Sequence, residues 1–226
     1  MRLQYRKRNV FQRNKVEIVS ACLGVAVFIL VYGVKVIDPT NIEWMAMGGD
    51  RQQHYLGWCF YRRSSWHFPF GLMDGVVFPN LTSIVYVDGI PIMALLFKIL
   101  SPVLPETFQY FGLWGVLSAA LIGVFSAKIL KLYIDSSWIV CISSLFFIGT
   151  PVFFRRMFGH TALAGIWVLL WAIYLVCKKS QKSYRIRSGE GGVAVGYFKY
   201  HMRKRAYVLY SNLWSLFAGV AFDRYF

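Results

Sequence analysis

Uncharged apolar runs alternate with short basic segments along this chain, and one long interval breaks the alternation. Residues 18–34 carry no charge and, with their flanks, approach the ~20 residues that a spanning helix needs. Three more uncharged runs follow at 108–127, 138–154 and 161–177. The pattern predicts an all-α, polytopic transmembrane helical protein with four spans, at about 17–37, 108–127, 137–154 and 161–177. Between the first and second spans lies 38–107, expected to be a long outer loop with juxtamembrane helices. It holds six of the ten carboxylates: Asp38, Glu43, Asp50, Asp74, Asp88 and Glu106. Carboxylates beside a membrane face are costly to desolvate, so their clustering there calls for a reason.

Within that loop, 45–61 has no proline and is expected to be helical. On a helix, Asp50 and His54 are four apart and share a face, which Trp58 extends by a turn. Trp66, Phe68, Phe70 and Phe78, with Pro69 and Pro79, predict an irregular aromatic stretch at headgroup level. Residues 89–104 resemble a span but number only 16, contain Lys98 and are interrupted by Pro91 and Pro102. As a helix they would cover about 24 Å, less than the ~30 Å hydrocarbon core. They are expected to lie flat in the outer interface. Charge supports this choice. With 89–104 flat, the cytoplasmic segments hold 6, 2 and 5 basic residues; counted as a span, it would put the five-charge cluster outside. The N-terminus is therefore expected in the cytoplasm, and the protein in the cell inner membrane.

Composition agrees. The chain is 57% hydrophobic and 15% charged, against about 45–50% and 25% in a soluble domain. Its formal charge of +15 sits beside apolar runs rather than forming a nucleic-acid face, so the expected partner is the lipid bilayer and no nucleic acid is implied. Cys22, Cys59, Cys141 and Cys177 show no CxxC spacing and imply neither disulfide nor zinc. No small-residue cleavage site follows the first apolar run. Residues 1–177 form the transmembrane region. Residues 178–226 are a basic linker, glycine-rich at 188–192, followed by an uncharged segment at 206–222 that is either a fifth span or an interfacial helix.

Under this topology the outer face gathers Asp50, His54, Asp74 and Asp88 from the long loop, and Arg155, Arg156 and His160 from the short one. Acids and an arginine pair near headgroups suit a sugar carried on a lipid phosphate. Arginine binds phosphate through a planar fork. A carboxylate accepts the proton of an attacking hydroxyl or holds a divalent cation. Each residue also has a plainer role. Asp50 can be a solvated or capping acid, and His54 can simply hydrogen-bond headgroups or backbone. Asp88, before Gly89-Ile90-Pro91, fits a helix cap better than a catalyst. The arginines can meet ordinary lipid headgroups.

The ordered set Gly49-Asp50, His54 to Trp58, Trp66 with Phe68-Pro69, Tyr86 with Asp88, Ile90-Pro91, Phe108-Gln109-Tyr110 with Gly112-Leu113-Trp114, and Arg155 through Leu163 resembles the N-terminal part of a GT-C glycosyltransferase. It is most similar to one bacterial membrane family catalogued as a domain of unknown function. The resemblance covers roughly 44–174. It implies an inverting hexosyl transfer from a polyprenyl-phosphate-linked sugar donor to an acceptor the sequence does not identify. It makes Asp50 and His54 the candidate catalytic residues, and Arg155, Arg156, His160 and Asp88 the candidate substrate-binding residues. GT-C relatives often add a second acid in the second outer loop. This chain has none there, so Asp50 is the only expected ligand should Mg²⁺ or Mn²⁺ take part. Relatives are also longer, so a truncated or frame-shifted product is one reading, active or inactive. The other is a non-enzymatic membrane module, a transporter or flippase component. The four uncharged spans count against ion-coupled transport.

Overall fold

A computed structural model describes residues 14–187 of the chain. The basic N-terminus, the 188–192 linker and the 206–222 segment lie outside the described residues.

The first apolar run forms α1 (Lys15–Tyr32); the Gly33 N–H closes its last turn on the Ile29 carbonyl, and the φ of +78° at Gly33 then turns the chain out of the helix. The next helix of spanning length is α4 (Phe111–Leu130), after which α5 (Ser137–Ile148), α6 (Pro151–Gly159) and α7 (Trp167–Arg187) complete the bundle. The segment between α1 and α4 folds over one end as a cap. It contains α2 (Gly49–Arg63), strands β1 (Leu72–Val77) and β2 (Asn80–Ser83), and α3 (Pro91–Ile99). The protein is thus mostly helical, with an antiparallel β1–β2 hairpin as an addition to the expected all-α pattern. Leu72 pairs with Ser83 and Val77 with Asn80, with an irregularity between Met73 and Val77 where Gly75 takes φ +84°. Met73 is buried in the cap core, and Tyr61 donates its hydroxyl proton to the Phe70 carbonyl. The stretch expected to be irregular is therefore pinned by one alternating side chain.

Three helical stretches are long and apolar enough to cross a membrane: Lys15–Tyr32, Phe111–Leu130 and Thr161–Gln181. Ser137–Ile148 with Pro151–Met157 is a fourth if the pair counts as one span, but it is bent by 46°. The hydropathy pattern predicts one straight span to 154, which the bend replaces. Pro151 has no N–H to offer the preceding turn and instead starts α6 at its first position. The outer surface of the bundle is suited to lipid. On α7, Leu169 and Val176 are 65% and 64% exposed, apolar area that a bilayer covers without cost. α3, with nine residues between Pro91 at its start and Pro102 beyond its end, is far too short to span. Its Lys98 nevertheless points inward: it is buried, donates to the Ser65 carbonyl at 3.2 Å and lies 4.3 Å from the Tyr61 ring centroid. Burial pushes its pKa down, with Asp74 acting against this.

The bundle is closed by small residues. A Cβ on Gly24 would stand 2.2 Å from the Ala119 carbonyl oxygen, and one on Gly123 would stand 2.2 Å from that of Ser20. α1 and α4 therefore meet antiparallel, backbone against backbone. The turn after α1 is held by Gln109. Its amide donates to the carbonyls of Val36 (3.0 Å) and Asp38 (2.8 Å), and its oxygen accepts from Gly112 N–H at 2.9 Å.

Candidate functional site

Gly48 and Gly49, at φ +89° and +68°, make a sharp entry into α2 that few other residues would tolerate. This entry places Asp50 in the first turn, exposed, and His54 one turn deeper, buried at 3% exposure. Trp58, a further turn on, donates its indole N–H to the Phe108 carbonyl at 2.9 Å and meets the Tyr110 ring edge-on at 5.1 Å. Tyr110 stacks on Phe111 at 4.5 Å, and Phe111 lies alongside the His54 ring at 6.2 Å. These aromatics fix the imidazole from below. Trp114 fixes what faces it, donating to the Thr161 carbonyl at 2.9 Å.

Two contacts join the cap to Thr161 and Ala162, and Asp50 comes close to Gly159. A Cβ placed on Gly159 would stand 4.0 Å from Asp50 Oδ2, so the carboxylate faces the C-terminal end of α6. His54 Nδ1 is 3.0 Å from Thr161 Oγ1. Asp88 Oδ2 accepts from Ala162 N–H at 3.3 Å and stands 3.5 Å from His54 Nε2. That last distance is long for a hydrogen bond and acts as an electrostatic contact. Burial lowers the His54 pKa; Asp88 and Asp50 oppose this, and His160 adds to it. A neutral imidazole with its proton on Nε2 satisfies both neighbours: Thr161 donates to Nδ1, and N–H points at Asp88.

Asp88 does not cap the following helix. α3 has Ile90 at its N-cap position with no side-chain cap bond, and the Asp88 carboxylate turns to His54 and Ala162 instead. Asp88 (φ +51°) and Ile90 (φ +49°) are both left-handed. Aspartate tolerates this region, but a branched side chain such as Ile90 is strained there. The turn is held by burial of Ile90 and by the Tyr110 hydroxyl, which donates to the Gly89 carbonyl.

Arg155 and Arg156 are exposed on α6, one helical turn before Gly159, and His160 is exposed just beyond. The structure thus brings Asp50, His54, Asp88 and His160 to one place, with the arginines beside it. Asp74 stands apart, paired with His67 Nε2 at 3.1 Å, a contact that draws its pKa down. Among the described residues no three His, Cys, Asp or Glu side chains gather as a cation would need, so no step is derived through Mg²⁺ or Mn²⁺.

The sequence places Gln109, Trp114 and Thr161 in the set that carries the resemblance but gives them no role, and it does not single out Arg62. Arg62 donates to Ser101 Oγ at 2.7 Å and to the carbonyls of Ser101, Leu104, Pro105 and Glu106. For Thr161 the available signal was a hydroxyl directly after His160, in a stretch otherwise apolar.

No curated protein and no solved structure matches the chain. A family model described as Domain of unknown function (DUF6311) matches residues 21–220. The match runs past 177 into the tail that the sequence reading set apart. Covering most of the chain, the cap and every residue of the candidate site, it identifies this protein as a member of the DUF6311 family.

Proposed function

We propose that the chain is part of a membrane glycosyltransferase that takes a hexose from a polyprenyl-phosphate carrier. What supports the reading is the meeting of the cap's Asp50, His54 and Asp88 with Gly159–Ala162, next to the arginine pair of α6. The acceptor hydroxyl oxygen attacks the anomeric carbon, and the bond from that carbon to the phosphate oxygen breaks. The hydroxyl proton passes to Asp50, and the bonding pair leaves with the lipid phosphate. Arg155 and Arg156 neutralise the charge that grows on it. His54, buried behind Asp50, is a positioning residue that ties α2 to the 159–162 turn. His160 and Asp88 line the substrate side. In this reading the cap faces outward from the inner membrane and the N-terminus is cytoplasmic.

The test uses membranes carrying the chain and a radiolabelled polyprenyl-phosphate mannose or glucose. Chain-dependent release of the free lipid phosphate is expected. Asp50→Asn should lower it by at least about a hundredfold, the usual worth of a general base, with donor binding little changed. Arg156→Ala should weaken donor binding as well. Donor binding without consumption would favour a non-enzymatic carrier, and undiminished turnover in Asp50→Asn would remove the assigned base. Orientation is checked separately in a background lacking the four native cysteines. Asp74→Cys should react with an impermeant thiol reagent from outside and Lys179→Cys should not; the reverse would invert the topology.

A further inference from the structure

The end of the bundle away from the cap has its own opening. A groove of about 640 Å³ lies between the start of α1, the end of α4 and Tyr174 of α7. Its mouth is polar: Asn14, Glu17, Lys128 and Lys131. Ala21 and Val124 line it roughly one helical turn deeper, about 6 Å along the axes, and Ile18 lines it beside Glu17. The cleft is therefore charged at the membrane face and apolar toward the bilayer interior.

The charges are not equivalent. Lys131 Nζ is engaged by Glu17 Oε1 at 2.8 Å. Lys128 has no acid partner among the described residues. Its ammonium stands 5.2 Å from the Phe125 centroid and 5.9 Å from that of Tyr174. The rings hold it in place without neutralising it. Lys178 lies 5.5 Å from the same Tyr174 ring and adds positive potential. Asn14 begins α1 through its backbone carbonyl and makes no side-chain cap bond. Two ammoniums and one carboxylate line the groove, which leaves one positive charge for a ligand.

We propose that this groove binds a monoanionic glycerophospholipid. Its phosphate diester sits on Lys128, the Asn14 amide donates to it, and an acyl chain follows Ile18, Ala21 and Val124. Basic pockets between spanning helices hold anionic headgroups by this division of charge and apolar wall. The site is at the opposite end from Asp50 and is independent of the transfer reaction.

Native mass spectrometry of the full chain, purified in mild detergent, provides the test. Phosphatidylglycerol should be retained over phosphatidylcholine by about fivefold, the worth of one lysine against an anionic headgroup. Lys128→Gln should abolish that preference. Lys179→Gln removes the same charge from an exposed residue outside the groove and should keep it. Ala21→Trp, which fills the wall without touching charge, should also reduce retention. Millimolar inorganic phosphate should not displace the lipid. The proposal is overturned if Lys128→Gln keeps the preference, if Lys179→Gln loses it equally, or if phosphate competes as well as the lipid does.

Discussion

In the bundle, Gly24 lies against the Ala119 carbonyl and Gly123 against that of Ser20, with nothing larger than a hydrogen to spare. In the cap, the contacts are made by Trp58, Tyr61, Met73 and Tyr110, all buried, two of them donating to backbone carbonyls across at least 21 residues. The difference is the one expected of a bundle in lipid and a cap in water. In lipid, burying apolar side chains would give α1 and α4 no advantage, because lipid is as apolar as leucine; association would come from close backbone packing. The cap has loops whose N–H and C=O groups must be satisfied, and large side chains with a polar tip both fill space and reach those groups. Steric faults should thus ruin the bundle, and polar faults should ruin the cap.

The largest effect is expected at the α1–α4 seam. Gly123→Leu puts a Cβ at 2.2 Å from the Ser20 carbonyl oxygen, where backbone rather than a side chain must give way. A loss of about 3 kcal/mol or more is expected, beyond ordinary overpacking. Size-exclusion elution and thermal unfolding in detergent measure it. Leu113→Ala, on an exposed side of α4, is the control and should change little. A monodisperse Gly123→Leu protein with unchanged unfolding would mean that the seam is not a tight contact.

The next effect belongs to the cap. Gln109→Glu keeps size but removes the two N–H donors to Val36 and Asp38, leaving a carboxylate against two carbonyls. A cost of about 2–3 kcal/mol is expected, since unsatisfied buried partners cost 1–3 kcal/mol and a charge costs more. Proteolysis of the 34–48 segment should become faster before the bundle itself unfolds. Equal protease resistance would show that the clamp is dispensable.

A third prediction concerns the hinge between the regions. The folded-state pKa of His54 lies below its ordinary value, mainly through burial. The unfolded chain then binds more protons in the window from about 6.5 down to the folded pKa. Stability is full above that window and falls as pH drops through it, by at most about 1.4 kcal/mol per pH unit. Asp38 and Asp74 have depressed pKa values, so their contribution is lost only below the ordinary carboxylate range. Unfolding temperatures between pH 7 and 5 should fall in the native chain and stay level in His54→Gln. Parallel slopes would remove His54 as the titrating group.

The two regions were unequally legible in the sequence. Span-length runs announce themselves, because a bilayer demands about 20 apolar residues, and α1, α4 and α7 stand close to where the runs lie. The i to i+4 step from Asp50 to His54 to Trp58 likewise gave the α2 face. The small-residue seam was present as Ser20 and Gly24 on one helix and Gly115, Ala119 and Gly123 on the other, at four-residue steps. A reading by hydropathy alone passes over it, since glycine and alanine score as ordinary apolar residues. The hairpin was hidden because only Met73 supplies a buried alternation on β1. Asp88 looked like a cap because Asp-Gly-Ile-Pro fits a helix start. Its partner at Ala162 is 74 residues away, and no local rule reaches so far.

The smallest stability effect is expected at Asp50, which makes it the sharpest probe of the site. Its side chain is exposed in the first turn of α2, where a carboxylate gains only the interaction with the helix N-terminus, typically 0.3–1 kcal/mol. Asparagine keeps the shape and can still accept a hydrogen bond at that end. Asp50→Asn should therefore shift the unfolding temperature by no more than a few degrees. The cap should remain docked, with the His54–Thr161 and Asp88–Ala162 contacts intact, because neither passes through Asp50. Release of lipid phosphate should nevertheless fall by about a hundredfold or more. Measured together on one preparation, the two readouts separate the possibilities. A large fall in unfolding temperature would make Asp50 part of the cap's scaffold, and any lost turnover would then follow from undocking. A stable protein that consumes donor at the native rate would move the search for the base to Asp88.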